Sequence, residues 1–351
     1  LVRQHGVTML GPILLLAGFL QLVAGRLKLG CWFRVTAPAV VYGMLAGIGV
    51  LIVLSQVHVM LDATPKPSGL DNLAAFPDAV AQALPSFGWQ AGLLGLGTIA
   101  VMWLWEKLRP HSLRFVPGAL LGVGIATIVS LVLALQVKRV EVPANLAEAI
   151  DWLKPADLLN LADPTLLIAA FAVAFIASAE TLLSAAAVDR MHSGQRSDFD
   201  RELSAQGVGN MLCGLLGALP MTGVIVRSSA NVQAGARGRA STILHGAWLL
   251  ALVALLPVVL QSIPVASLGA VLVYTGCKLV DPKAMRNLGQ YGRAPVFIYA
   301  ATALCIVFTD LLTGVLVGFG LTLLKLVWSA SRLRVKLVPT GPNSAELRMS
   351  G

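Results

Sequence analysis

Residues 164–188 read PTLLIAAFAVAFIASAETLLSAAAV, an apolar run that holds one charged group, Glu180. As a helix it is longer than the roughly 30 Å of hydrocarbon in a bilayer, at about 1.5 Å per residue. Working outward, apolar windows recur at 7–24, 37–56, 90–106, 115–137, 203–218, 221–235, 239–260, 264–280, 294–309 and 311–329. The segment from Pro220 to Gly235 is too short for an ordinary crossing and reads as a half-helix of about 20–24 Å. Across the chain, 57% of residues are hydrophobic and 12% charged, against about a quarter charged in a soluble domain. Mean hydropathy is +0.80. The fold class predicted is therefore all-α integral membrane.

The net charge of +9 invites a nucleic-acid partner, but basic patches interleaved with stacking aromatics are absent. The charge instead follows the loops. Arg26, Lys28 and Arg34 share one loop, and Lys107, Arg109 and Arg114 the next but one. Alternate loops continue with Arg190, Arg196 and Arg201, then Arg237 and Arg239, then Lys278, Lys283, Arg286 and Arg293. Short loops rich in Lys and Arg stay on the cytoplasmic side. The opposite loops carry Asp62, Asp71 and Asp78 beside Lys66, and Glu141, Glu148, Asp151, Asp157 and Asp163 beside Lys138, Arg139 and Lys154. This predicts a multi-pass protein of the cell inner (plasma) membrane, with the lipid bilayer as partner and no nucleic acid.

Between spans, Leu73, Phe76, Val80 and Leu84 recur at helical spacing over 72–84. They suit a helix lying along the outer surface or an ordinary capped loop helix. After Arg332 the chain turns polar, and 333–338 alternates like a strand before Pro339, Gly341 and Pro342. Cys31, Cys213, Cys277 and Cys305 lack metal-ligand spacing and read as small core residues, with no disulfide and no metal. No nucleophile–base pair, P-loop or dinucleotide fingerprint occurs, so neither an enzyme nor a cofactor is expected.

Charged groups inside apolar spans are costly and mark function by default. Glu180 stands deep in its span with Ser184 one turn on, so a carboxylate and a hydroxyl share a face. The alternative is a carboxyl group paired to a neighbouring helix for structure alone. Leu219-Pro220-Met221-Thr222-Gly223-Val224-Ile225-Val226-Arg227 supplies the second feature. A helix beginning inside the membrane offers unpaired N–H groups and a positive dipole end, a seat for an anion. Pro220 suits its first turn, Gly223 admits a ligand close to the backbone, and Arg227 adds full charge one turn on. Arg227 also fits the plainer role of a cytoplasmic anchor. An acid on one span and an anion-seeking helix start on another suggest the midplane site of a secondary transporter. Gly43 with Gly47, and Gly314 with Gly318, read as helix contacts, and Asp310 as a solvated helix cap.

These residues resemble the sulfate permease (SulP) family of anion transporters. The resemblance rests on Ala37-Pro38 through Gly49, Glu180-Thr181-Leu182-Leu183, and Gln206-Gly207-Val208-Gly209-Asn210. It continues with Leu219 through Arg227, Asn231 through Arg237, and Thr309 through Val315. The family implies an inverted seven-plus-seven span repeat with core and gate domains, of which this chain resembles spans four to fourteen. Residues 1–25 (fourth span) and 163–262 (spans eight to eleven) match the core, 33–140 and 263–330 the two halves of the gate. Residues 331–351 resemble the start of a truncated STAS-like domain. The start at Leu1-Val2-Arg3, with no initiator methionine, predicts a cut chain lacking the first three spans. The resemblance implies a substrate site of Glu180, Ser184, Thr222, Gly223, Val224, Ile225, Val226 and Arg227, with Glu180 and Ser184 also handling a coupling ion, H+ or Na+. Some bicarbonate-transporting relatives that couple to sodium have aspartate at the acid, so Glu180 favours a proton. The function implied is secondary-active transport of a small inorganic oxyanion, sulfate or bicarbonate, by movement of core against gate, with a homodimer as a further expectation. The alternatives are a dicarboxylate or nucleobase transporter of the same architecture, or a non-transporting membrane scaffold.

Overall fold

The apolar run that opens the sequence argument forms a helix over Pro164–Asp189 in the computed structural model. Its start is written locally. Asp163 accepts the Thr165 backbone N–H and the Thr165 hydroxyl, each at 2.8 Å, and Pro164 needs no partner for a missing N–H. The structure describes residues 9–30, 38–110, 113, 116–142, 150–158, 163–189, 192, 194–224, 227–228, 231–232, 235–236, 238–331, 334–341 and 344–350.

In chain order the helices are α1 (Leu10–Arg26), α2 (Pro38–Met60), α3 (Gly69–Ala83), α4 (Gly88–Leu108), α5 (Gly118–Val132), α6 (Pro155–Leu158), α7 (Pro164–Asp189) and α8 (Phe199–Leu215). They continue with α9 (Ala240–Leu255), α10 (Pro257–Gln261), α11 (Val265–Leu279), α12 (Pro282–Gly289), α13 (Arg293–Phe308) and α14 (Leu311–Ser331). Strands β1 (Arg334–Gly341) and β2 (Ser344–Ser350) pair antiparallel, from Arg334 opposite Ser350 to Gly341 opposite Ser344. Among the described residues, each predicted span except 221–235 has a helix at its centre. Among the described residues, four stretches of helix are long and apolar enough to cross a membrane: Pro38–Met60, Gly88–Leu108, Pro164–Ala186 and Val265–Gly289.

The windows 115–137 and 203–218 end earlier than hydropathy predicts and 37–56 ends later, at Met60, for a shared reason. The window 115–137 stops as α5 at Val132, where Leu135 N bonds to Ser130 O (3.0 Å) and Ala134 N to Leu131 O (3.2 Å) with Ala134 at φ 50°. That pair of bonds around a left-handed residue closes a helix C-terminus. Asp62 (φ 55°) ends α2 in the same way, through Ala63 N to His58 O, and Gly217 (φ 64°) ends α8 through Ala218 N to Cys213 O. The window 203–218 also begins sooner, at Phe199, because the Asp198 side chain accepts from Asp200 N and Arg201 N. Near the C-terminal end, β1 runs through Pro339, where an expected turn becomes a register irregularity between Pro339 and Gly341.

The described chain falls into two compact units, Leu1–Val35 with Gln56–Pro65 and Ala74–Tyr274, and Thr36–Ser55 with Lys66–Leu73 and Thr275–Gly351. In the first, α1 lies against α7 and α8. Leu10, Ile13, Leu14 and Ala17 pack on Leu166, Ala169, Ala170, Val173 and Ala174. Against α8 the approach is backbone to backbone. A Cβ on Gly18 would lie 2.5 Å from Gly207 O, one on Gly207 would lie 2.5 Å from Leu22 N, and one on Gly214 would lie 2.7 Å from Gly11 O. Small residues let membrane helices close to this distance. In the second unit Gly43, Gly47, Gly314 and Gly318 play that part: added Cβ atoms would press on Tyr299 O, Ile306 or Thr302. Asp310 caps α14 from an exposed position, accepting the Thr313 N–H at 2.9 Å.

Candidate functional site

The site is built on α7, which carries Ser178, Glu180, Thr181 and Ser184 within about two turns. Alongside it runs residues 218–224, which are not helical. This corrects the expectation of a helix starting at Pro220. The backbone groups that would open such a helix are held elsewhere. Met221 N donates to Asn210 Oδ1 at 2.8 Å and Met221 O accepts from Gln206 Nε2 at 3.3 Å, both side chains of α8. Gly223 N donates to Thr181 Oγ1 at 2.7 Å, and Gly223 O accepts from Ser184 Oγ at 3.2 Å, both on α7. The segment is therefore stitched alternately to two helices, as a strand is to its neighbours. Helical bonding begins later, with Ser228 N to Val224 O at 3.1 Å.

The predicted residues fall into three groups. Glu180, Ser184, Thr222, Gly223 and Val224 come together, all half-buried, with the Thr222 side chain beside the Glu180 carboxyl group. Arg227 is exposed, in a helical turn with Ser228. Ile225 and Val226 lie outside the described residues. Gly223 is required by closeness: a Cβ there would stand 3.2 Å from Thr181 Cα and 3.3 Å from Thr181 Cγ2.

Sequence reasoning missed the amide network beneath this segment. Asn210 Nδ2 donates to Gln21 Oε1 at 2.9 Å, and Gln21 Nε2 donates to Ser178 Oγ at 3.1 Å and Ala174 O at 3.2 Å. Gln206 Nε2 also donates to Ala177 O at 2.9 Å. Gln21, Gln206, Asn210 and Ser178 are buried, and burying amides is favourable only when they are bonded, so the network fixes α1, α7, α8 and residues 221–223 in one register. The signal was available: Gln206 and Asn210 share a helix face at i, i+4 inside an apolar window, where amides need partners. Chemically, the cluster offers a carboxyl group and two hydroxyls. Among the described residues no three His, Cys, Asp or Glu side chains gather as a metal site.

The chain is similar to known transporters over most of its length. It is 28% identical over 330 residues to the putative sulfate transporter YvdB of Bacillus subtilis (strain 168), covering 91% of this chain and 59% of that protein. It is 26% identical over 343 residues to the bicarbonate transporter BicA of Synechocystis sp. (strain ATCC 27184 / PCC 6803 / Kazusa), covering 95% and 58%. The chain thus spans about three-fifths of the length of these relatives. Among solved structures, the transmembrane domain of a cyanobacterium bicarbonate transporter BicA superimposes with a TM-score of 0.73 at 25% identity, covering 90% of this chain and 78% of that one. SLC26A9 shares the fold, with a TM-score of 0.76 at 17% identity, covering 98% and 54%. These likenesses give the chain the fold expected of an inverted seven-plus-seven span repeat. A sequence model described as the sulfate permease family matches residues 2–302, and with the multi-pass helical fold this makes the chain a member of that family.

Proposed function

We propose that this chain is part of a secondary-active transporter of a small inorganic oxyanion, sulfate or bicarbonate, in the plasma (inner) membrane. Transport proceeds without chemical conversion of the cargo, by movement of a core (residues 1–25 and 163–262) against a gate (33–140 and 263–330). The observation that carries the reading is the hydrogen bonding of Thr181 and Ser184, the polar residues beside Glu180 on α7, to both backbone groups of Gly223, four residues before Arg227. A protonatable group then stands beside a bonded backbone segment that precedes the anion-attracting Arg227, so occupancy of one is felt by the other. The names and functions of the relatives support the substrate class.

An anion entering against a negative-inside potential meets about 2.3 kcal/mol per charge per 100 mV, so accumulation needs a coupled cation or a counter-anion. Glu180 is placed to carry the coupled proton, with Ser184 beside it. The test is the Glu180→Gln variant of the full-length protein in proteoliposomes. Gln keeps the shape and can still hydrogen-bond but cannot change charge. Concentrative uptake is expected to be lost while anion exchange at equilibrium survives. Uptake by the variant that still rises with an imposed pH gradient would overturn the coupling role.

A further inference from the structure

Helices α4 and α5 leave a cleft of about 390 Å³ between them, lined by Trp89, Leu94 and Val101 from α4 and by Gly122, Ile125 and Val129 from α5. We propose that this cleft binds one acyl chain of a membrane phospholipid, with the headgroup at the Trp89 end. The inference is independent of the transport reading.

Its lining is almost wholly apolar. The Thr98 hydroxyl is spent on Leu94 O at 2.8 Å, and Gln90 Oε1 accepts from Gln136 N at 3.0 Å. Apolar cavities of this kind stay dry and take apolar guests. The cleft is also continuous with the face that α4, a membrane span, turns to lipid: Leu93, Leu96 and Leu104 on α4 and Ile128 and Leu131 on α5 are exposed on either side of it. Trp89 stands at the N-terminal end of the span, where an indole ring belongs at headgroup level.

Gly97 supplies a second, separate observation. It lines the cleft in the middle of α4, and a Cβ added there would meet nothing within 4 Å. Its neighbour Gly122 differs, since a Cβ there would touch Met102 and Thr98 at 3.0–3.2 Å. Because Gly97 itself lines the cleft, the side chain it lacks leaves the channel open at the middle of α4. From Trp89 to Val101 the cleft extends about 18 Å, so its volume is spread along a narrow channel. A second helix, some 10–12 Å across with its side chains, is too wide for it. The strip is also far smaller than the roughly 800 Å² per partner of a stable dimer. An extended hydrocarbon chain fits both its width and its chemistry.

The test uses the full-length protein in liposomes containing a phosphatidylglycerol with a diazirine in one acyl chain, with photolabelled peptides mapped by mass spectrometry. Labelling is expected to concentrate several-fold on peptides bearing Gly97–Val101 and Ile125–Val129 over the equally exposed apolar α9, and to be competed by unlabelled phospholipid. Gly97→Leu, which fills the cleft, should lower the cleft signal to the α9 level and leave α9 unchanged. Equal labelling of cleft and α9 in the wild-type protein overturns the proposal without recourse to any variant. So does a cleft signal indifferent to Gly97→Leu, or a photo-crosslink from the cleft to a protein segment in place of lipid.

Discussion

Thr181 shows how a single hydroxyl can set a site it does not itself form. By accepting the Gly223 N–H at 2.7 Å it holds residues 221–224 against α7 and takes that N–H away from any ligand. Replacing it with Val keeps the volume but leaves the amide unpaired, at about 1–3 kcal/mol for a desolvated group. We expect Thr181→Val to raise the KM for the transported anion by about tenfold, one such increment in affinity, while Thr181→Ser retains the native value. A native KM in the Val variant would remove Thr181 from the site. Asp62, in the turn after α2, poses a different problem. Burial is the main influence raising its carboxyl above the usual 3.8, opposed by the Lys138 backbone bond and the Lys138 charge. One carboxylate oxygen, Oδ2, accepts Lys138 N at 3.1 Å, while Oδ1 is buried without a partner. Because the native value exceeds the unfolded one, ionisation costs stability: the cost is absent below 3.8 and grows as pH rises through the native value. Asp62→Asn should therefore melt above the wild type at about pH 7, with the gain vanishing in acid below the unfolded value. A variant less stable at neutral pH would mean that the Lys138 contacts outweigh burial.

At the scale of elements, α1 and α8 are held by what their glycines lack. Gly11, Gly18 and Gly25 recur one heptad apart, and each faces the backbone of α8 or Ser204 within 3.0 Å of where a Cβ would sit. Gly207→Ala must push the helices apart and should cost about 1–3 kcal/mol, read as a lower melting temperature. Gly246→Ala in α9, where a Cβ meets nothing within 4 Å, should be neutral or stabilising by up to about 1 kcal/mol. Equal losses at both positions would show that helix propensity, and not the crossing, governs. The same contrast explains what the sequence makes legible. The span at 164–188 is found over Pro164–Asp189 because Asp163 and Pro164 write its start in their own chemistry. The heptad glycines and the amides Gln21, Gln206 and Asn210 are equally visible, but their meaning appears only when the facing helix is known. Pro220 misleads for the complementary reason. Its local preference for a helix start yields to side chains of Asn210 and Thr181, about 11 and 42 residues away from the groups they bind. Short α12, over Pro282–Gly289 with Asp281 as its cap, escapes a hydropathy window because it is short and Lys283, Arg286 and Asn287 interrupt its apolar residues.

For the whole molecule, the open question with a sharp answer is orientation. Hydropathy and helix geometry are indifferent to which end of a span faces the cytoplasm; only the charge of the connecting segments distinguishes the two. The turn from α11 into α12 and α13 carries Lys278, Lys283, Arg286 and Arg293 against a single Asp281, while the connection from α2 to α4 carries Asp62, Asp71 and Asp78 against Lys66. Retention of Lys and Arg on the cytoplasmic side then puts position 283 inside and position 71 outside. The helix over Gly69–Ala83 agrees with an outer membrane surface, since Phe76, Val80 and Leu84 are exposed on one side while Ala79 and Ala83 are buried on another. Single cysteines at positions 71 and 283, in a full-length protein whose native cysteines are replaced, test this in intact cells with a membrane-impermeant maleimide. Position 71 should label at once and position 283 only after the membrane is opened. Labelling of position 283 from outside would invert the molecule, and with it the side from which an anion reaches Arg227.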